Sequence, residues 1–533
     1  MVKWICLSWM VFAMVAGAQP AITTNGIVNA ASSAPVGLPN SSIAQGSMFS
    51  IYGTAMGPAS SPPLLSFPLQ KTLGGVTVQI QDASGATRQA IPLYVGPTQI
   101  NAILPSATAV GTATATVTYS GATSAPASFT VVKSSFGILA LSQGGSGPGI
   151  VLNYVANSTT WPVNTIITSA QPGQSVVLWG TGLGPVTGDE TVAPVQSDLR
   201  SGLDPMTLWV GGQQVKIDYA GRSTSAGQDQ INFVAPNIPG CWVPVMLQIG
   251  NVVSNTVTIS IAPSGGMCQD PTVPTLNPVV VEANGLKEGS LLLEQYTIHQ
   301  PPPTGDSKPT LVASAEFGMY AWPSPLFPSS QAGMGIDTYG ACTVNALAIG
   351  PTSLLDAGSP MTLTGPDGAT TTLTQPRLYP QGFYDAVPNA LPAGVYTLKN
   401  GSGGKDVGSF TASLTLPAPF TWTNPDPLTV IDRTLPQTFT WAGGSGDVFI
   451  IGSSSALVNR AYVGATFTCL AKASDGKFTV PTYVLAALPA SYTNAAGLEL
   501  LNYAVTTTFS ANGLDLGLFQ ALFATQEQNV NVY

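Results

Sequence analysis

The sequence predicts an all-β protein built from tandem immunoglobulin-like β-sandwich domains. Only 8% of its residues are charged, against roughly 25% in ordinary soluble domains, while 57 are glycine and 45 are proline. Valine and threonine recur between them, and these residues favour strands, whereas glycine and proline favour the turns that join strands. At roughly 100–200 residues per domain, the 533 residues suffice for about three to five domains.

The N-terminal residues are typical of a secretory signal peptide. Met1–Lys3 is a short positive segment, Trp4–Val15 is apolar, and Ala16–Ala18 is a small-x-small cleavage site. We therefore expect residues 1–18 to be removed and the mature chain to be secreted, either free or at the cell surface, with the periplasm as the alternative. No later segment approaches the length of a membrane-spanning helix, so no membrane span is expected after cleavage.

A long internal repeat predicts two tandem domains. Residues 44–58 and 171–185 share the spacing of their glycines and end in the same Gly-Pro pair. Further along, Gln99-Ile100-Asn101 matches Gln230-Ile231-Asn232. A repeat this long indicates whole domains rather than a solenoid of short units. Strand patterns recur about every ten residues within each copy, with turn residues between them, as in an immunoglobulin-like sandwich.

These motifs resemble an uncharacterised repeat domain abundant in secreted proteins of Solibacter-type acidobacteria, which is similar to the IPT/TIG group of immunoglobulin-like domains. The resemblance covers residues 26–262 and implies an extracellular module of unknown role, with no catalytic residues to carry over to this sequence. The segments that carry it are Gly26–Ser32, Gly46–Thr54, Leu73–Val76, Tyr94–Asn101, Tyr219–Gly221 and Gly227–Pro236.

The predicted organisation has four folded units joined by two linkers. After the signal peptide, residues 19–140 form repeat 1, 141–164 a linker, 165–263 repeat 2, 264–278 a second linker, 279–418 a third sandwich-like domain and 419–533 a fourth. The best helix candidate is the single turn Tyr483–Leu488.

Four cysteines remain after signal cleavage, and an even number in an exported chain favours disulfides. Of the three possible pairings, we favour Cys241 with Cys268 and Cys342 with Cys469. A metal site is disfavoured, because the sequence has no C-x-x-C motif and one histidine.

The repeated Gln-Ile-Asn motif predicts a structural role. Ile100 and Ile231 should point into the sandwich cores, and the amides of Gln99, Asn101, Gln230 and Asn232 should point to the opposite face. We expect the amides to tie the nearby Gly-Thr-x-x-Gly-Pro loop to the sheet.

No catalytic motif is evident in the sequence. The single histidine, His299, precedes a proline run and lies in no nucleophile motif. Acidic residues leave a glycosidase-like carboxylate pair open, either Asp189 with Glu190 or two of Glu282, Glu288, Glu294 and Glu316. Calcium is conceivable where Asp204, Asp218 and Asp229 accompany the first pair, although no calcium-loop motif is present.

Tryptophans are the best candidates for ligand contact, because exposed rings can stack on sugars. Trp161 and Trp322, each beside a proline, are the predicted glycan contacts. Trp179, Trp209 and Trp441 lie within predicted strands, where core packing is the commoner outcome.

We therefore expect a non-enzymatic secreted or cell-surface structural or adhesive protein without a cofactor. The alternatives are an extracellular carbohydrate-binding protein and a glycoside hydrolase-like enzyme with a carboxylate pair in its C-terminal half. Possible partners are an extracellular glycan or protein. Nucleic acid is not expected, because the net charge of −9 offers nothing to neutralise phosphates.

Overall fold

The structure is a computed structural model that describes residues 19–63, 66–270, 276–300, 304–323, 336–345, 351–376, 382–491 and 495–533. The predicted signal peptide lies outside these residues. Half of the chain (50%) is strand and 4% is helix, which confirms the all-β prediction. In the part of the chain that is described, no helix is both long and apolar enough to cross a membrane.

Repeat 1 is a two-sheet sandwich. One sheet has the strand order β1-β3-β7-β6 and the other β2-β10-β8-β4-β5, with β9 paired to β8. Alternate residues of both sheets, such as Ile51, Val78 and Ile100, fill the core between them. Its strands are β1 Ala21–Asn29, β2 Ile43–Ala44, β3 Met48–Thr54, β4 Thr77–Gln81, β5 Thr87–Gln89, β6 Ile91–Val95, β7 Gln99–Ile103, β8 Gly111–Tyr119, β9 Ala122–Thr123 and β10 Ala127–Val132.

Repeat 2 is a second sandwich with its own core. One sheet has the order β11-β13-β18-β17-β14, with β12 also on β13, and the other β16-β15-β19-β20, with β21 also on β19. Its strands are β11 Gly137–Ile138, β12 Val151–Asn153, β13 Ser175–Thr181, β14 Ser197–Asp198, β15 Met206–Val210, β16 Gln213–Val215, β17 Ile217–Arg222, β18 Asp229–Val234, β19 Gly240–Ile249, β20 Val252–Val253 and β21 Val257–Ile261.

The C-terminal half is organised around a ten-stranded sheet, with the order β24-β35-β34-β37-β38-β22-β23-β25 and with β28 and β32 attached to it. A four-stranded sheet, β27-β26-β29-β30, and a three-stranded sheet, β31-β33-β36, accompany it. The strands are β22 Leu286–His299, β23 Thr310–Tyr320, β24 Cys342–Asn345, β25 Ser353–Leu354, β26 Met361–Thr364, β27 Thr370–Leu373, β28 Phe383–Ala386, β29 Gly394–Lys399, β30 Thr411–Leu416, β31 Thr421–Trp422, β32 Val430–Ile431, β33 Gln437–Ala442, β34 Asp447–Val458, β35 Ala461–Lys472, β36 Lys477–Val480, β37 Ala496–Phe509 and β38 Leu516–Val532.

Two short α-helices are present among the described residues. Helix α1, Pro278–Asn284, begins at an Asn277 side chain that accepts a hydrogen bond from Val279, and it has proline at its first position. Helix α2, Thr482–Ala486, overlaps the predicted turn of helix. Single 3₁₀ turns occupy Arg200–Gly202, Asp426–Thr429 and Ala473–Asp475.

The arrangement differs from the predicted organisation at two places. The predicted linker 141–164 contains β12, which pairs antiparallel with β13 and so belongs to the second sandwich. The predicted boundary between residues 418 and 419 passes through the ten-stranded sheet, because β22 pairs with β38 from the other side of that boundary. Local sequence patterns do not show which distant strands will pair.

Both predicted disulfides are present. Cys241–Cys268 lies in a small apolar cluster where repeat 2 meets the C-terminal half. Cys342 and Cys469 are directly opposite each other on β24 and β35, so their disulfide joins neighbouring strands of the large sheet.

The units are joined by buried contacts rather than by free linkers. Between the repeats, the Met48 amide donates to the Thr181 hydroxyl at 2.8 Å, and the Ser106 amide and hydroxyl donate to the Glu190 carboxylate at 2.7 and 2.8 Å. Between repeat 2 and the C-terminal half, Trp209 stacks on Tyr483 with ring centroids 4.1 Å apart. These contacts hold the sandwiches in fixed positions relative to one another.

Candidate functional site

The Gln-Ile-Asn motif occupies the same position in both sandwiches. Ile100 and Ile231 are fully buried in the cores of repeat 1 and repeat 2, as predicted. The flanking amides point to the outer face of the sheet and are half-buried. The motif therefore supplies one core residue and two surface amides to each repeat.

The predicted tether from these amides to the Gly-Thr-x-x-Gly-Pro loop is wrong. The Gln230 side chain donates to Asn232 Oδ1 at 3.1 Å, so the two amides bond to each other. Asp229, the preceding residue, binds the loop instead, because its Oδ2 accepts from the amides of Gly182 and Leu183, both at 2.9 Å. In repeat 1 the Met56 amide of the corresponding loop donates to the Pro97 carbonyl at 3.1 Å, so main chain performs the same task.

The amides of Gln230 and Asn232 instead line a groove on the outer face of repeat 2. The groove has a volume of about 580 Å³, within the roughly 300–1,000 Å³ of typical ligand sites. Its floor is the outer face of β13 and β18, and one wall is the loop between β12 and β13. We call it the repeat-2 groove; its aromatic and polar lining residues, apart from Phe233 whose ring is in the core, are Tyr154, Trp161, Ser175, Trp179, Gln196, Asp218, Thr224, Gln230 and Asn232.

Three aromatic rings give the groove its apolar surface. Trp179 lies directly opposite Gln230 in the sheet. Tyr154, which is 42% exposed, meets Trp161 edge to face with centroids 5.0 Å apart. The Trp161 indole donates to the Ser158 carbonyl at 3.2 Å, and the Asn153 amide donates to the Pro162 carbonyl at 2.9 Å, so the wall loop is held to the sheet. The rings are thus positioned before any ligand arrives.

The polar side of the groove is neutral overall. Because Gln230 donates to Asn232, the Gln230 Oε1 acceptor and the Asn232 Nδ2 donors keep their bonding capacity, with no partner among the described residues. Asp218 is the one carboxylate among the described residues of the lining, and it pairs with Lys216 at 2.8 Å. The groove therefore suits an uncharged ligand that both donates and accepts hydrogen bonds.

The structure separates the predicted glycan contacts. Trp161 lines the groove, whereas Trp322 packs against Trp242, with centroids 5.7 Å apart, beside the Cys241–Cys268 disulfide. Trp179, which was expected in the core, faces outward instead. Strand alternation could have found this, because Val176 and Leu178 are the inward residues of β13. Tyr154 was not predicted as a ligand contact, because residues 141–164 were assigned to a linker.

A second cavity, of about 480 Å³, lies beneath residues 185–199 where the two repeats meet. Its ionisable lining groups are already engaged: Arg222 pairs with Asp229 at 3.0 Å, Asp198 with Arg200 at 2.6 Å, and Glu190 binds Ser106. Of the acids considered for calcium, Glu190 and Asp229 take part in these contacts, and Asp218 pairs with Lys216. Across the described residues, no group of three or more potential ligands is arranged to hold a metal ion.

Glu282 lies in helix α1, where it accepts from the Ile167 amide at 3.2 Å. The other acids considered in the C-terminal half, Glu288, Glu294 and Glu316, lie on the large sheet. Glu288 and Glu316 are diagonal neighbours on β22 and β23. Burial, together with the nearby Glu316, raises the pKa of Glu288 to about 8, and burial also raises the pKa of Glu316. Glu288 is only 6% exposed, and neither residue lines the cavities described above.

His299 is surrounded by carboxylates. Its Nδ1 lies 2.6 Å from Asp306, and its Nε2 lies 3.0 Å from Asp426 and 3.6 Å from Glu527. Burial disfavours the imidazolium, but the bonds to Asp426 and Asp306 outweigh it and raise the pKa of His299 above its ordinary value. The histidine therefore joins β22 to β38 and to the Asp426–Thr429 turn.

Comparison with known proteins adds little to this geometry. No known protein family is matched, and no curated protein is similar in sequence. A tetra-tandem repeat from the extending region of a large adhesion protein is 13% identical, with 95% of this chain and 99% of that chain covered and a TM-score of 0.14. The Bacteroides ovatus mixed-linkage glucan utilization protein SGBP-B, in complex with a heptasaccharide, is 10% identical, with 87% and 95% covered and a TM-score of 0.14. Likenesses of this size do not indicate a shared function.

Proposed function

We propose that this chain is an exported, non-enzymatic adhesive protein that binds an uncharged carbohydrate in the repeat-2 groove. The observation that carries the proposal is the groove itself, where Trp161, Tyr154 and Trp179 surround the Gln230–Asn232 amide pair. Apolar ring faces stack on the C–H faces of sugars, and the amides donate to and accept from the hydroxyl groups at their edges. Two disulfides support export, because such bonds persist in oxidising compartments.

A carbohydrate fits this groove better than a peptide does. Extended peptides usually bind by adding a strand to an open sheet edge, where unpaired backbone groups supply the hydrogen bonds. The groove instead lies on the face of β13 and β18, whose backbones already pair with each other and with further strands on either side. Side chains alone must therefore recognise the ligand, and those available are aromatic rings, amides and hydroxyls.

The adhesive part of the proposal draws on the fixed joints between the units. The groove is built partly from β13 and β18, and the Arg222 guanidinium at the end of β17 donates to the Gly46 carbonyl of repeat 1 at 3.0 Å. Contacts of this kind couple the sandwich that carries the groove directly to its neighbour. That property suits a protein that holds a surface rather than one that turns over a substrate.

The test is binding of the native chain to a panel of uncharged linear polysaccharides, namely β-glucan, xylan and glucomannan, with pectin as the charged comparison. Affinity electrophoresis identifies the retained polymer, and calorimetry with its hexasaccharide measures affinity. We expect Trp161→Ala and Trp179→Ala each to weaken hexasaccharide binding at least ~10-fold, as central aromatic contacts do.

Tyr533→Ala is the matched control, because Tyr533 is 66% exposed and distant in sequence from every lining residue. It should bind as the native chain does. Retention of none of the neutral polymers, or unchanged hexasaccharide affinity in both tryptophan variants, would show that the groove does not bind carbohydrate.

A further inference from the structure

Repeat 1 carries a counterpart of the groove's recognition surface. On the outer face of its first sheet, Tyr52 lies opposite Gln99 on β3 and β7, and Asn101 lies opposite Tyr94 on β7 and β6. Tyr52 corresponds in the repeat to Trp179. The two tyrosines are 38% and 43% exposed, so an amide pair lies between two accessible rings.

The amides are arranged as in repeat 2. The Gln99 side chain donates to Asn101 Oδ1 at 2.9 Å, and the Ser50 hydroxyl donates to the same oxygen at 2.9 Å. Among the described residues this leaves Gln99 Oε1 and Asn101 Nδ2 without a partner, one acceptor beside one amino group. Both repeats therefore present the same polar pair toward solvent.

The ring of Tyr94 lies over a glycine. A Cβ at Gly96 would come within 2.9 Å of the Tyr94 hydroxyl, so any side chain there would displace the ring. The second repeat keeps the same relation, with a Cβ at Gly221 2.8 Å from the Tyr219 hydroxyl. In repeat 2, however, β14 continues the sheet beyond β17, whereas β6 ends its sheet in repeat 1. Tyr94 consequently remains open to solvent.

We propose that this face of repeat 1, defined by Tyr52, Tyr94, Gln99 and Asn101, is a second carbohydrate site that binds another stretch of the polysaccharide held in the repeat-2 groove. The chemical class of the ligand rests on the proposed function. With a strand spacing of ~4.8 Å and a rise of ~3.4 Å per residue, the two tyrosine Cα atoms lie roughly 10–12 Å apart across the diagonal. One sugar ring cannot reach both tyrosines, but a short run of linked sugars can.

The two sites differ in shape, and this difference predicts which length of ligand each site binds. In repeat 2 the loop carrying Tyr154 and Trp161 forms a wall, whereas the four residues that define the repeat-1 site all lie on the paired strands β3, β6 and β7, which makes that site a platform. A short oligosaccharide should bind in the walled groove alone. A polymer that reaches both sites gains from the second contact, because the second binding event becomes intramolecular.

The experiment compares Tyr52→Ala/Tyr94→Ala with the native chain on the polymer retained in the panel above and on its hexasaccharide. We expect polymer affinity to fall roughly 10-fold, with hexasaccharide affinity unchanged. Tyr52→Phe/Tyr94→Phe keeps both rings and should bind polymer as the native chain does, and thermal melting of both variants checks that repeat 1 is folded.

The outcomes separate the two proposals. If Trp161→Ala loses the hexasaccharide while the double alanine variant binds polymer normally, the second site does not exist and the groove does. If hexasaccharide affinity falls in the double alanine variant, the platform is not an independent site. If the native chain retains none of the neutral polymers, both sites are wrong.

Discussion

Two buried carboxyl groups, Asp82 in repeat 1 and Glu288 in the large C-terminal sheet, have opposite surroundings. In repeat 1, Asp82 accepts from Ser84, from the Ala109 amide and from Arg88. The Ser84 hydroxyl, the Ala109 amide and Arg88 together hold the pKa of Asp82 well below its usual range. In the C-terminal sheet, Glu288 Oε2 is buried with no hydrogen-bond partner in the described part of the chain, and its pKa is raised to about 8.

These opposite pKa shifts give acid opposite effects on the stability that each carboxyl group contributes. A carboxyl group with a lowered folded pKa stabilises the fold above its unfolded pKa, and that stability is lost as the pH falls through the folded pKa. A carboxyl group with a raised folded pKa stabilises the fold below its unfolded pKa, and that stability is lost as the pH rises through the folded pKa. The stability contributed by Asp82 should therefore be lost in acid, and that contributed by Glu288 should be lost in alkali.

The largest expected effect comes from breaking the buried ion pair of repeat 2. Asp229→Ala leaves the buried Arg222 guanidinium without its carboxylate and two loop amides without an acceptor. We expect a loss of about 3–5 kcal/mol in the free energy of unfolding, measured by urea titration. Thr98→Ala, at the matching position of repeat 1, should change it by no more than ~0.5 kcal/mol, because only the Thr98 main chain is used.

A loss below about 1 kcal/mol for Asp229→Ala would mean that the two repeats do not differ in how they hold the Gly-Thr-x-x-Gly-Pro loop.

Replacing Glu288, the buried acid of the large sheet, should stabilise the protein at high pH. Glu288→Met removes a carboxyl group that must ionise near pH 8 in a buried position. We expect the variant to be about 1–3 kcal/mol more stable than the native chain at pH 9 and nearly equal to it at pH 4, as measured by urea titration.

Asp82→Asn is the opposite control in repeat 1. It should lower stability at neutral pH, and the difference should shrink as the medium becomes strongly acidic. Equal pH profiles for the Glu288 and Asp82 variants would contradict the contrast between the two regions.

His299 provides a further test of pH dependence, in which the charged form is a cation. Its folded pKa is raised, so its contribution is fully present below its unfolded pKa near 6.5 and is lost as the pH rises through the higher folded value. His299→Gln should therefore destabilise the C-terminal half at pH 5, by up to about 1 kcal/mol because Asp306 and Asp426 are exposed, and should have little effect at pH 9. Calorimetric melting at the two pH values measures this, and an effect larger at pH 9 would have the wrong sign.

The smallest expected effect concerns the surface amides. Asn232→Ala removes one hydrogen bond from Gln230, whereas Asn101→Ala in repeat 1 removes two, from Gln99 and Ser50. We expect stability losses of less than about 1 kcal/mol for Asn232→Ala and somewhat more for Asn101→Ala. Thermal melting of the two variants should reveal that order, and the reverse order would mean that Asn232 has a structural role that these contacts do not show.

Local patterns in the sequence carried much of this architecture. The repeat spacing located both sandwiches, strand alternation placed Ile100 and Ile231 in their cores, and the even cysteine count led to both disulfides. Only part of the groove could be predicted from the sequence. Trp161 was recognised by its place beside a proline, but Tyr154 and the amides joined it only once β12 was known to pair with β13. Contacts of this kind depend on which segments meet in space, and no local pattern specifies them.

The parallel pairing of β22 with β38 affects how the protein can fold while it is being synthesised. Lys287 and its hydrogen-bond partner Asp515 are 228 residues apart. At about 5–20 residues per second, β22 waits on the order of 10–50 seconds after its own synthesis for this neighbour. During that time the repeats can complete their sandwiches, while the edge of β22 that will pair with β38 keeps an open row of backbone groups. The second half of the chain is therefore exposed to wrong strand pairing for longer during synthesis than the first half.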